Sequence, residues 1–101
     1  MLTSKQRAYL RSLALDLDTI VIIGKNGIGE NLIKQVQDDL RVHELIKGKV
    51  LENSLLSSKE AMAELAEVCK AEPVQAIGSK FVLYKRNEKD AKIILPKKDR
   101  K

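Results

Sequence analysis

Apolar residues recur first at helical spacing: Leu10, Leu13, Ala14 and Leu17 form one stripe over Ser4–Leu17, with Thr3 or Ser4 standing where a cap belongs. A short link carrying Asp16 and Asp18 leads to a β-branched run, Thr19–Ile23, apolar enough to predict a strand buried on both faces. A second helical stripe, Ile28, Leu32, Ile33, Val36 and Leu40, opposes a polar side of Lys34, Gln37, Asp38 and Arg41, and Glu30 suits the dipole of its first turn. His43–Leu51 predicts a second strand, with Ile46 and Val50 on one face, Gly48 between them, and Lys47 and Lys49 on the other. Asn53–Leu56 reads as a turn or loop. Ser57 followed by Glu60 is a capping box that opens a third helix running to about Ala71. Its apolar face holds Ala61, Met62, Leu65, Val68 and Cys69, and its exposed side carries Glu60, Glu64 and Glu67. Pro73 ends that segment. Val74–Arg86 gives strand signals interrupted at Gly78-Ser79, Asn87-Glu88-Lys89-Asp90 predicts a hairpin turn, and Lys92–Leu95 predicts a short closing strand stopped by Pro96. The order is α-β-α-β-α-β-β, an α+β domain with a four-stranded mixed sheet.

A chain of 101 residues supports one hydrophobic core, read here as a domain over 1–96 with a basic tail over 97–101. The net charge of +5 invites an anionic partner, but the tail alone holds +3 of it, so placement of charge matters more than its total. The longest apolar run, Ile20–Ile23, is too short to span a membrane, and no apolar signal core follows Met1, so a cytoplasmic location is expected. Cys69 is the only cysteine, which excludes an internal disulfide and a multi-cysteine zinc site and suits an inert core thiol. His43 has no second histidine nearby, so a cap or packing role is expected rather than a metal. No nucleophile–base pair stands out and the glutamate stripe reads as a solvated face, so the expectation is a non-enzyme without cofactor or metal. Aromatic content of 3% argues against a base-stacking platform, and Tyr9, Phe81 and Tyr84 are expected in the core or at its edge.

The stretch Gly24-Lys25-Asn26-Gly27-Ile28-Gly29 joins the first predicted strand to the second predicted helix, where unpaired N–H groups and the positive end of a helix dipole attract phosphate. A Walker loop fails, because Lys25 is followed by Asn26 and lacks a glycine five residues earlier. A dinucleotide fingerprint fails on spacing, since G-x-x-G-x-G is the reverse of what it needs, and no second βαβ half exists. Gly24-Lys25-Asn26-Gly27 does fit the G-x-x-G loop with which single-stranded nucleic-acid binders clamp sugar-phosphates. A plain glycine turn between strand and helix fits equally well on the motif alone.

His43-Glu44-Leu45-Ile46-Lys47, placed after that helix, adds a context. Lys5-Gln6, Leu10 and Leu13-Ala14 in the first helix, Val21–Gly24 leading into Asn26-Gly27, Val74–Gly78, Val82-Leu83-Tyr84 and Lys92–Pro96 complete it. With these residues the chain resembles the YhbY family, the stand-alone bacterial form of the CRM domain (chloroplast RNA splicing and ribosome maturation), over Leu2 to about Leu95. The resemblance implies a fold similar to the C-terminal domain of translation initiation factor three. It also implies RNA binding and association with precursors of the large (50S) ribosomal subunit, hence a role in ribosome biogenesis. Gly29 stands where that family commonly has threonine and Gly48 where it has valine, and Asp16 and Asp18 make the first link more acidic. The expected RNA surface is Gly24, Lys25, Asn26 and Gly27, extended by Lys5, Arg7 and Arg11 if the first helix packs beside the turn, and by Lys47 and Lys49 in second rank. The protein is expected to act as a monomer. Other readings are a nucleoid-type DNA-binding protein and an adaptor whose acidic third helix docks a basic ribosomal protein.

Overall fold

The computed structural model describes residues 2–87 and Ile93. Seven elements follow in chain order: α1 (Ser4–Ala14), β1 (Thr19–Ile23), α2 (Glu30–His43), β2 (Leu45–Val50), α3 (Ser58–Cys69), β3 (Glu72–Ile77) and β4 (Lys80–Tyr84). The strands form one mixed sheet in the order β1-β2-β4-β3, with β1 parallel to β2 and the other two pairs antiparallel. A parallel pair cannot be joined by a tight turn, and α2 supplies the crossover between β1 and β2.

Alternation along the strands divides the core in two. Val21, Ile23, Ile46, Phe81 and Leu83 face α2 and α3, where Val36, Leu40, Ala61, Leu65 and Cys69 close over them. Leu45, Val74, Val82 and Tyr84 face the other way and are covered by Leu10 and Ala14 of α1. Both α1 and α3 open with capping boxes. The Thr3 hydroxyl accepts from the Gln6 N–H while the Gln6 side chain accepts from the Thr3 N–H, each at 3.1 Å, and Ser57 and Glu60 repeat the exchange. Two amide donors that the helix leaves unpaired are thereby satisfied at each start.

Several expectations change. The segment from Val74 to Arg86 is two strands, with the hairpin at Gly78-Ser79 and β3 beginning at Glu72. Apart from Asn87 and Ile93, the hairpin predicted at 87–90, the closing strand at 92–95 and the tail at 97–101 lie outside the described residues. β1 is not buried on both faces. It is an edge strand, so Val21 and Ile23 are buried while Ile20 and Ile22 are exposed. Gln35 of α2 donates to the Ile20 carbonyl at 3.1 Å, occupying one group of that open edge. α1 ends at Ala14 rather than Leu17, His43 is the exposed last residue of α2 rather than the head of a strand, and Tyr9 and Val68 are exposed.

Gly48 has a steric reason. It pairs directly with Phe81 across β2 and β4, and a Cβ at position 48 would lie 2.8 Å from Phe81 Cε1 and closer still to Cζ. The ring, almost fully buried, occupies the space a side chain would need.

Glu44 is the one charged residue among those described that has no solvent exposure. It caps α2 at φ 65°, where its N–H donates to the Leu40 carbonyl and its own carbonyl accepts from the Lys85 N–H, each at 2.8 Å. Its two carboxylate oxygens accept from the N–H groups of Asn87 and Ile93, each at 2.7 Å. Charge-assisted bonds from backbone amides offset the cost of burying a carboxylate, and they tie the chain after β4 to the junction of α2 and β2.

Candidate functional site

β1 and β2 end, and β3 and β4 reverse, at the same edge of the sheet, so three connections gather there: the glycine turn, the loop from Leu51 to Ser57, and the Gly78-Ser79 hairpin. Short backbone bonds hold them together. The Leu51 N–H donates to the Ile23 carbonyl and the Val50 N–H to the Ser79 carbonyl, each at 2.8 Å, and the Ser58 hydroxyl donates to the Gly78 carbonyl at 2.7 Å.

On this base Gly24-Lys25-Asn26-Gly27 forms a closed four-residue turn, with the Gly27 N–H donating to the Gly24 carbonyl at 3.1 Å and the exposed Lys25 and Asn26 at its corners. Gly27 sits at φ 69°, a conformation glycine adopts without steric cost. Gly29 is different: its φ of −120° is ordinary and an added Cβ would meet nothing within 4 Å. Glycine at that position leaves bare backbone that the fold itself does not demand.

Gly29 is also the N-cap of α2, and no side chain caps it. A threonine here would stand on the cap position, where its hydroxyl could accept from the first turn. Here the first-turn amides open onto a depression of about 430 Å³ lined by Asn26, Gly27, Gly29, Glu30, Asn31 and Leu32. Uncapped N–H groups, the positive dipole end and Lys25 all favour an anion at this rim. The exposed Glu30 carboxylate opposes one.

The other expected residues separate. Lys47 and Lys49 share the α1 side of β2, as alternation predicts, and both are half-buried. Lys47 Nζ donates at 3.3 Å to the carbonyl of Ala14, the last residue of α1, which also accepts from the Leu17 N–H at 3.1 Å and lies at the negative end of the helix dipole, a place that favours a cation. Lys49 makes no hydrogen bond or ion pair among the described residues. α1 does not pack beside the turn: its buried residues meet Leu45, Val74, Val82 and Tyr84, toward the opposite end of the sheet. Lys5, Arg7 and Arg11 therefore extend no continuous track from Gly24. Of the three, Arg11 lies in the last turn of α1, one turn before Ala14, whose carbonyl Lys47 reaches.

Lys80 was not singled out from sequence. The hairpin pairs it with Lys49 on one side and Ile77 on the other. Recognising Gly78-Ser79 as a hairpin turn rather than an interruption would have aligned Lys80 opposite Ile77; its register against Lys49 needed the whole sheet. The glutamates of α3 at 60, 64 and 67 are exposed, and α3 covers the face of the sheet opposite Lys49 and Lys80.

The far end of the sheet is chemically quiet, beside an open depression of about 350 Å³ lined by Gln37, Leu40, Arg41, Lys85, Arg86 and Asn87. Burial pushes the Cys69 thiol up from the ordinary 9.0, with Lys85 pulling weakly the other way, and Lys85 Nζ donates to the Cys69 carbonyl at 2.9 Å. Burial and then the Glu44 charge raise the Tyr84 phenol above the ordinary 10.0, with Arg86 opposing. Neither a thiolate nor a phenolate is favoured there, so this end offers no ready nucleophile.

The fold and site define a small α+β domain with a glycine-framed, basic turn at the end of a mixed sheet. The chain belongs to the CRS1 / YhbY (CRM) domain family, whose profile matches residues 2–85. A Bacillus subtilis protein named "Probable RNA-binding protein YqeI" is 40% identical over 96 residues, covering 95% of this chain and all of the relative. A Haemophilus influenzae protein named "RNA-binding protein" is 37% identical over 97 residues, covering 96% of this chain and 97% of the relative. Among solved structures, a Staphylococcus aureus protein described as a candidate RNA binder is similar with a TM-score of 0.79 and 49% identity. That match covers 95% of this chain and all of the other.

Proposed function

We propose that the domain binds RNA by gripping its sugar-phosphate backbone at the Gly24–Gly27 turn and the start of α2, and that it does so in the cytoplasm as a monomer on precursors of the large ribosomal subunit. The carrying observation is the contrast among helix starts. α1 and α3 satisfy their first amides with complete capping boxes, whereas α2 leaves its own bare beside Lys25, Asn26 and an open depression. A phosphate placed there would take the role that a capping side chain plays elsewhere. Relatives named for RNA binding support the ligand class, and the ribosomal part follows from what the family resemblance implies. The protein contributes backbone amides, a lysine and an amide side chain, an arrangement suited to holding a polyanion.

Binding of single-stranded RNA measured across a salt series tests the grip. Log affinity should fall with log salt at a slope of about −0.7 per phosphate neutralised. Replacing Lys25 and Asn26 together by alanine should weaken binding and shallow that slope, with thermal stability unchanged. Intact binding with a slope near zero would refute the grip. Co-sedimentation with large-subunit precursors, lost on ribonuclease treatment, tests the ribosomal assignment and separates it from an adaptor, whose protein partners should survive.

A further inference from the structure

Beyond the turn, the described residues cover only half of the α1 side of the sheet. α1 closes over the row of Leu45 and Tyr84 and reaches as far as Lys47, whose ammonium meets the last carbonyl of the helix. The next row lies under none of the described helices. It runs Ile22, Lys49, Lys80, Ile77 across all four strands, each paired directly with its neighbour. Three inter-strand spacings make it about 14 Å long. Ile22 is 52% and Ile77 65% exposed. Lys49 and Lys80 stand opposite each other, and neither has an ion pair or hydrogen bond among the described residues. Like charges directly opposite on antiparallel strands oppose pairing, so the row is arranged against the stability of the sheet.

We infer that this row is a seat for unpaired nucleobases, continuing the RNA path from the turn; the inference rests on the proposed grip at Gly24–Gly27. β1 runs from Ile22 through Ile23 directly into Gly24 and Lys25, so a strand held at the turn is delivered to one end of the row. The two ammoniums draw its phosphates, and the isoleucines present flat aliphatic surface to the faces of the bases. Bases stacked inside a duplex cannot reach that surface, so the row selects unpaired RNA. Aliphatic contact takes the place of the aromatic stacking that this chain lacks. An acidic amphipathic peptide would match the same alternation of charge and apolar surface, but only RNA makes the row and the turn one continuous surface.

The full chain is titrated with a short unpaired oligoribonucleotide and with an abasic ribose-phosphate strand of the same length. Wild type should prefer the base-bearing strand by roughly tenfold, near the lower end of what one base stacked on an aromatic side chain gives. Ile22→Thr with Ile77→Thr, both exposed and both β-branched, preserves strand propensity and should melt as wild type does. It should bring the preference close to one while affinity for the abasic strand holds. Lys25→Ala with Asn26→Ala should lower affinity for both strands equally and keep the preference. No preference in wild type, or a preference that survives the threonine pair, overturns the seat and leaves the grip standing. A preserved preference with affinity unaffected by the Lys25 and Asn26 changes refutes the grip and supports the seat. A threonine pair that loses an acidic peptide but keeps full base discrimination reassigns the row to a protein partner.

Discussion

The two ends of this sheet are built to opposite specifications. At the far end, Glu44 is fully buried with both carboxylate oxygens accepting backbone N–H groups, and burial raises the Cys69 thiol and the Tyr84 phenol above their ordinary values. At the turn end, glycine occupies a cap position, a helix start goes without a side-chain partner, and two lysines face one another across strands. One end spends unusual residues on closing the fold, though the buried Tyr84 hydroxyl there has no hydrogen-bond partner among the described residues, and the other leaves a helix start uncapped and two lysines unmatched. That difference separates residues kept for stability from residues whose arrangement makes sense only with a ligand.

The comparison can be broken most forcefully at Glu44. Glu44→Ala leaves two half-buried amides without their acceptors, and hydrogen bonds to charged groups contribute about 1.5–3 kcal/mol each. A loss of about 3–5 kcal/mol in denaturant unfolding is expected, with RNA affinity of the folded fraction unchanged. A loss near zero would mean the far end is not organised around that carboxylate.

Gly48→Val should come next. The new side chain collides with the Phe81 ring, and overpacking of this kind costs roughly 1–3 kcal/mol. Pairing it with Phe81→Leu should recover much of the loss, so a full double-mutant cycle in thermal unfolding reads the coupling directly.

Alkali and salt then divide the two ends without any mutation. Cys69 and Tyr84 have folded values raised above their ordinary 9.0 and 10.0. Their contribution is thus fully present below those values and is lost as pH rises through and beyond them. Denaturant midpoints should hold from neutral pH to about 9 and fall above it. RNA affinity, governed at the turn, should respond to salt in the range where stability does not.

The smallest effect belongs to Gly29→Ser. A hydroxyl at an exposed cap with ordinary φ should add a few tenths of a kcal/mol to stability. Because that hydroxyl would occupy the same first-turn amides, RNA binding should weaken modestly. Stability and affinity moving together instead would argue against a phosphate at this helix start.

Local chemistry was readable in the sequence and long-range geometry was not. The capping box at Ser57 and Glu60 lies within one helical turn, so its residues announce it, and the stripe from Val36 to Leu40 fixes the buried side of α2. The alternation that puts Lys47 and Lys49 on one side of β2 is equally local. The run Thr19–Ile23, by contrast, says nothing of whether a strand has one neighbour or two, and edge placement is what exposes Ile20 and Ile22. Glu44 was hidden for a related reason. Its partners lie 43 and 49 residues away, and its positive φ is imposed by the end of α2 rather than by its own preference. The candidate site was legible at the turn, where four consecutive residues make the motif. It was illegible along the Ile22–Ile77 row, which exists only once four strands are in register.

Gly48 and Phe81 carry one last consequence, which concerns descent rather than folding. Their side-chain space is shared, so neither position can drift alone: a valine at 48 requires a smaller partner at 81, and a phenylalanine at 81 requires the glycine. Lineages of this domain should therefore inherit the two positions as a single character, crossing between glycine with a large ring and valine with a small aliphatic through few intermediates. A relative carrying valine at 48 together with phenylalanine at 81 should show a displaced β4.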